Sequence, residues 1–231
     1  MKGKAKKGLI LVGVVLVIVI FVIVKKQMSG VDNYRDKYQG TDLTVEVDGL
    51  GREGTYTEYQ NSHEAVYPTE DIPIDVCSYE EGTDVEVYQN IEGAEKALYT
   101  GDNSKVTWKV NVKEAGLYQV YLEYRTVESR GVAVERALYI NGELPFTDAA
   151  NLTFSRLWTD GGEVRCDNQG NQIRPTQVEV FDWQGSYCRD DMGYTVKPYE
   201  FYFEKGENEL TLEAVNEPVI LRTITLCAVQ E

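Results

Sequence analysis

Apolar and polar side chains alternate twice in succession within residues 105–126. Val106, Trp108, Val110 and Val112 interleave with Lys105, Thr107, Lys109 and Asn111. After a break at Ala115-Gly116, Tyr118, Val120, Leu122 and Tyr124 interleave with Gln119, Tyr121, Glu123 and Arg125. Successive side chains of a strand point to opposite faces, so each run predicts a strand with one buried face. The short break predicts a tight turn that joins them within one sheet of a β-sandwich. The same period of two recurs more briefly over residues 72–77, 85–88, 132–140, 201–203, 210–215 and 219–226. Asn141-Gly142 and Lys205-Gly206-Glu207 supply turn signals between them. No stretch beyond the first thirty or so residues sustains a helical period, and the roughly 160 residues from Ile72 onward are enough for one core. The expectation is all-β: one antiparallel β-sandwich, a jelly roll, over residues 72–231.

Before that domain the pattern changes. Lys2, Lys4, Lys6 and Lys7 precede an unbroken apolar run over residues 8–24, which Lys25 and Lys26 close. At about 1.5 Å per residue the run covers roughly 26 Å, near the short end of what spans a bilayer core. A cleaved signal peptide would have an apolar region of about 7–15 residues ending in small side chains, whereas this run ends in Val24-Lys-Lys-Gln-Met28. Residues 1–30 therefore read as cytoplasmic lysines plus one transmembrane signal-anchor helix. The excess of lysines ahead of the run puts the amino terminus inside the cell membrane and the rest outside, a single-pass topology. Residues 31–71 are polar, with strand-like alternations at 43–47 and 56–59, and read as an extracellular stalk or loosely docked arm.

Composition fits an exported domain. The chain has a formal net charge of −15; setting aside the six lysines that flank the apolar run leaves 17 basic against 38 acidic residues, a net of −21. Such a charge repels phosphate backbones, so nucleic acid is excluded as a partner. Cys77, Cys166, Cys188 and Cys227 all lie in the exported part, where disulfides persist. Of the three pairings that four cysteines permit, Cys77 with Cys227 and Cys166 with Cys188 are favoured, the alternative being buried thiols.

Catalysis finds little support. His63 is the only histidine and lies in the arm, which leaves Asp160, Asp167, Asp190 and Asp191 as acids for a glycoside-hydrolysing pair. Solvated loop acids are far commoner than such pairs, and no enzyme activity is expected. Binding is better served. Residues 146–198 carry few alternations but many Gly, Asp, Asn, Arg and aromatic residues, and long segments of this kind in compact domains are usually functional. Sugar recognition asks for flat aromatic faces beside amides, carboxylates and guanidinium groups. Phe154, Trp158, Trp183, Tyr187, Tyr194 and Tyr199 offer the first; Arg156, Asp160, Asp167, Asn168, Asn171, Arg174 and Gln177 offer the second. Each of these aromatics has a plain reading as the small core that a long loop needs. Arginines also concentrate nearby, at 125, 130, 136, 156, 165, 174 and 189. Ion pairs holding the loop down, with Glu128 and Glu135 as partners, outrank recognition of an acidic sugar. Arg136, in phase with Val134, Leu138 and Ile140, is the best candidate for a buried, paired guanidinium.

Trp108-Lys-Val-Asn-Val112, Glu114-Ala-Gly-Leu-Tyr118 and Ala137-Leu-Tyr-Ile-Asn-Gly-Glu-Leu-Pro-Phe146 resemble the galactose-binding-like jelly roll of carbohydrate-binding modules. Thr153-Phe-Ser-Arg-Leu-Trp-Thr-Asp160, residues 167–177 and Pro198-Tyr-Glu-Phe-Tyr-Phe203 are similar to the amino-terminal domain of large membrane-anchored solute-binding proteins of bacterial ABC sugar importers. The resemblance runs from about Lys37 to the last residue. It implies a non-catalytic accessory domain that binds or presents carbohydrate, with an ABC permease or a solute-binding domain as partner. The two-lobed solute-binding domain of those proteins is not part of the present sequence. The alternative is an extracellular interaction or spacer sandwich with no glycan site. Modules of this type often hold a structural calcium. Asp75, Glu80 and Glu81 are available at the start of the domain, but the last strand reads Ile220-Leu-Arg-Thr-Ile224 where an Asp is expected, so calcium stays unassigned.

Overall fold

The computed structural model describes residues 54–229. The apolar run over residues 8–24, its flanking lysines and the alternation at 43–47 lie outside the described residues. Among the described residues no helix is long and apolar enough to cross a membrane.

Among the described residues, helix α1 (Tyr56–Ser62) precedes fourteen strands. These are β1 (Ile72–Ile74), β2 (Glu81–Ile91), β3 (Ala94–Val112), β4 (Gly116–Thr126), β5 (Val134–Ile140), β6 (Leu152–Phe154) and β7 (Leu157–Asp160). There follow β8 (Arg165–Cys166), β9 (Gln172–Ile173), β10 (Gln177–Val180), β11 (Gln184–Tyr187), β12 (Glu200–Phe203), β13 (Gly206–Asn216) and β14 (Val219–Ala228). Ten strands form one antiparallel ladder in the order β11-β4-β14-β3-β13-β5-β6, with β1 beside β14, β12 beside β4 and β2 beside β3. The described residues form the expected all-β sandwich.

Strand β3 is the hinge between the layers. Its residues Leu98, Tyr99 and Thr100 pair with β14, while residues 105–112 pair with β13. Between these stretches the register against β2 jumps from Thr83↔Lys105 to Val85↔Thr100. A Cβ at Gly101 would stand 2.1 Å from the Asp84 carboxylate, so a side chain there would expel it from the bend. That carboxylate also accepts the Asn103 N–H at 3.2 Å.

The alternation over 105–126 gives two strands with buried faces, but not the expected hairpin. β3 pairs with β2, β13 and β14, whereas β4 pairs with β11, β12 and β14. The turn at 113–115 thus carries the chain from one layer to the other, and Val106, Trp108 and Val110 share one core with Val120, Leu122 and Tyr124. A period of two fixes which face is buried; it does not name the neighbouring strand. Trp108, fully buried, donates its indole N–H to the Val76 carbonyl at 2.9 Å.

Residues 56–59, expected as strand-like alternation in a loose arm, instead open α1. Thr55-Tyr-Thr-Glu58 is a capping box: Thr55 Oγ1 accepts the Glu58 N–H at 3.3 Å, and Glu58 Oε2 accepts the Thr55 N–H at 3.0 Å. The helix covers an edge of the sheet. The Tyr56 hydroxyl accepts the Glu200 N–H at 2.9 Å and the Tyr59 hydroxyl accepts the Tyr202 N–H at 2.7 Å, where a further strand would otherwise supply carbonyls.

The four cysteines are free thiols, contrary to the expected pairings. β1 runs antiparallel to β14 with Ile72 opposite Leu226 and Ile74 opposite Ile224, so the chain has moved away from Cys227 before it reaches Cys77. Cys188 is buried in the core, and burial pushes its thiol up; Cys166 is exposed on β8.

Candidate functional site

The segment after β5 places the sequence-predicted binding residues in four separate settings. Phe154 is a core residue, packed edge-on against Tyr124. Arg156 is buried as well. Its guanidinium pairs with Glu179 and Glu217 and donates to the Ser129 hydroxyl and the carbonyls of Val127 and Val132. Glu217, fully buried and in a left-handed backbone conformation, also accepts from Ser129 and from Arg130 Nε at 2.8 Å. Burial pushes the Glu217 carboxyl up, but the bonds from Ser129 and Arg130 and the nearby guanidinium charges outweigh it and hold the group below the usual carboxylate range. The Arg156 guanidinium is thus fully engaged and leaves no donor for a ligand.

A second group stands on two exposed ribbons. β7 pairs with β10 and β8 with β9. Trp158 is 49% exposed, Asp160 accepts from Gln177, and Arg174 lies beside Ile173 and Pro175. The Asp167 carboxylate accepts the Asn171 side-chain amide at 3.0 Å and the N–H groups of Asn171 and Gln169 at 2.8 Å, bonds that hold its carboxyl below the usual range. Asp167 and Asn171 therefore build the turn that displays the exposed Asn168.

Trp183 and Tyr187 form a third group on the outer face of the sheet around β11. The Trp183 indole donates to the Glu92 carbonyl at 2.9 Å, and the Arg222 guanidinium lies 5.7 Å from its ring centre. Tyr187 meets Tyr121 edge-on with ring centres 5.0 Å apart.

A further concavity assembles from elsewhere. A cleft of about 520 Å³ lies between the N-terminus of α1, the turn at Thr147–Ala150 and the loop over 189–199. It is lined by Thr55, Tyr56, Thr57, Thr147, Asp148, Asn151, Arg189, Asp190, Asp191, Met192, Tyr194, Thr195 and Tyr199. Asp190 shapes the loop: its two carboxylate oxygens accept the N–H of Met192 at 2.9 Å and of Thr195 at 2.8 Å. Gly193, at φ +80°, permits the tight path between them. The result is a rim on which Tyr194 is 85% exposed, flanked by Met192 and by Val196. Asp191 accepts the Thr153 hydroxyl at 3.1 Å. Beneath the rim, Tyr199 packs between Tyr56 and Phe146 with ring centres 4.6 and 4.9 Å away. Burial, reinforced by Asp148, Asp190 and Asp191, pushes the Tyr199 hydroxyl up, so it stays protonated and able to donate.

Of the sequence-predicted residues, the aromatics Tyr194 and Tyr199 and the loop acids Asp190 and Asp191 line this cleft. Sequence reading missed Tyr56, Thr147, Asp148 and Asn151. The capping box before Tyr56 was a usable signal for where its helix begins, but nothing local ties that helix to residues some 90 positions away.

Two of the acids expected near a calcium are engaged locally. Asp75 caps its own turn, accepting the Cys77 N–H at 3.0 Å and the Ser78 hydroxyl at 2.8 Å, while Glu80 lies 3.7 Å from Lys109. Among the described residues no group of three or more His, Cys, Asp or Glu side chains is placed to hold a metal ion.

No family model matches the sequence, and no curated protein matches it. Solved structures match this chain at low identity. A family 35 carbohydrate binding module from Clostridium thermocellum is 10% identical over 69% of this chain and 100% of its own, with a TM-score of 0.39. A module of the same family from Paenibacillus barcinonensis is 16% identical over 70% of this chain and 100% of its own, with a TM-score of 0.42. The GH26-CBM35 β-(1,4)-mannanase of Podospora anserina is 10% identical over 70% of this chain, with a TM-score of 0.44, and the present chain spans 28% of its length.

Proposed function

We propose that this chain is a non-catalytic, membrane-anchored extracellular module that binds carbohydrate in the cleft between α1 and the loop over 189–199. The observation that carries the reading is the cleft itself. An almost fully exposed tyrosine on a carboxylate-clamped loop stands over a concavity lined by hydroxyl, amide, carboxylate and guanidinium groups, with a volume of about 520 Å³. Known ligand pockets run to roughly 300–1,000 Å³, so a short oligosaccharide fits. Tyr194 offers an apolar face to the C–H side of a pyranose, and the polar groups below meet its hydroxyls. Asp190 is engaged by backbone N–H groups, and His63, the sole histidine, bonds to the Tyr59 carbonyl and stacks on Tyr202. Neither arrangement resembles a general acid or base at work.

Calorimetric titration of a glycan panel into the full chain tests the proposal: Tyr194→Ala abolishes binding while the melting temperature holds. Trp183 and Tyr187 on the sheet face are the rival location, so Trp183→Ala serves as the second variant.

The anchor and the resemblance to importer components add a proposed setting, in which the module presents sugar outside the cell to an ABC permease or a solute-binding domain. Protease protection of the amino terminus in sealed vesicles, with digestion of the sandwich, tests the topology. The second reading, a protein-interaction sandwich, has its own support in Met192 at 71% and Val196 at 94% exposure beside Tyr194. Silence across the glycan panel together with capture of a purified permease or solute-binding domain, lost in Met192→Ser with Val196→Ser, favours it.

A further inference from the structure

The ionic lining of the cleft sets which carbohydrates it can take. Among the described residues that line it, Asp148, Asp190 and Asp191 contribute carboxylates and Arg189 the one cation. Asp190 and Asp191 are fixed by Met192, Thr195 and Thr153, whereas the side chains of Asp148 and Arg189 have no hydrogen-bond or ion-pair partner among the described residues. A ligand therefore meets an excess of negative charge, inside a chain whose formal net charge is −15. We propose that the cleft selects uncharged glycans and rejects those bearing carboxylate, sulfate or phosphate, an inference that rests on the carbohydrate reading above. Each polar group then has a role toward neutral hydroxyls. The free Asp148 carboxylate accepts a bond from a sugar hydroxyl, while Arg189 and the protonated Tyr199 hydroxyl donate to sugar oxygens. The raised Tyr199 hydroxyl is consistent with this, because three carboxylates around it oppose any further negative charge. An anionic sugar could recruit Arg189, but only while lying beside three carboxylates, and the field of the whole domain slows its approach.

The test titrates the full chain with matched pairs, each a neutral oligosaccharide and its C6-oxidised uronic counterpart, in the gluco, galacto and manno series at low and physiological salt. The expected result is that at least one neutral member binds about tenfold or more tighter than its uronic partner. That gap narrows with added salt and with Asp148→Asn. Equal or tighter binding of a uronic member, lost in Arg189→Ala, overturns the inference and leaves the carbohydrate reading standing. Binding of no member of any pair overturns the carbohydrate reading and the inference with it.

Discussion

Glu217 and Arg136 show two ways of burying charge in this domain. The Glu217 carboxylate is shared by Arg156, Arg130 and Ser129, so removing its charge would leave the buried Arg156 guanidinium with Glu179 alone. Glu217→Gln should cost about 3–5 kcal/mol in denaturant unfolding at neutral pH. The pH dependence has a definite sign. Because the folded carboxyl titrates below its ordinary value of 4.5, its stabilisation is present above that pH and is lost as pH falls through the lower folded value. Glu217→Gln should flatten the wild-type fall in stability in that acid window; an unchanged profile would contradict the role given to this carboxylate. Arg136 is buried as its phase along β5 predicts, but its acceptors are the carbonyls of Glu135, Asn216 and Glu217 and the Thr100 hydroxyl, in place of the expected carboxylates. Burial pushes its guanidinium down to about 10. The phase was legible because it depends on neighbours two residues apart. The partners were not, because Asn216 and Glu217 arrive from 80 positions along the chain.

Among the elements, α1 shows how a local signal can be outweighed by a competing one. Tyr56 and Tyr59 sit three apart, as a helix requires to place both hydroxyls on the β12 edge, yet their aromatic character also suits a strand. The capping box decides in favour of helix. Thr55→Ala should lower stability by about 1 kcal/mol through loss of the cap. Tyr59→Phe should cost about 1–3 kcal/mol because the Tyr202 N–H loses its acceptor, and hydrogen exchange at Tyr202 should quicken in that variant alone. Protection at Tyr202 unchanged in Tyr59→Phe would mean that α1 does not cover the edge. The strands themselves were legible from alternation, but their order was not. β3 and β4 are adjacent in sequence and separated in the sheet because both bury one face against the same core from different layers.

At the scale of the whole molecule, the all-β sandwich and the acidic charge were readable from the sequence. The cleft was only half readable: Asp148, Asn151 and Tyr194 fall within residues 146–198 and Tyr199 follows directly, while Tyr56 comes from the arm ahead of the sandwich. Calcium provides a check on the scaffold. Asp75 and Glu80 are occupied locally, so neither calcium nor chelator should shift the thermal melt, and a shift of several degrees would reveal a site formed by other donors. The central claim is that carbohydrate binds in the cleft and not on the sheet face. A glycan array probed with the wild-type chain, Tyr194→Ala and Trp183→Ala tests it most directly. The account predicts signals that persist in Trp183→Ala and vanish in Tyr194→Ala; signals that persist in Tyr194→Ala and vanish in Trp183→Ala, or no wild-type signal at all, would contradict it.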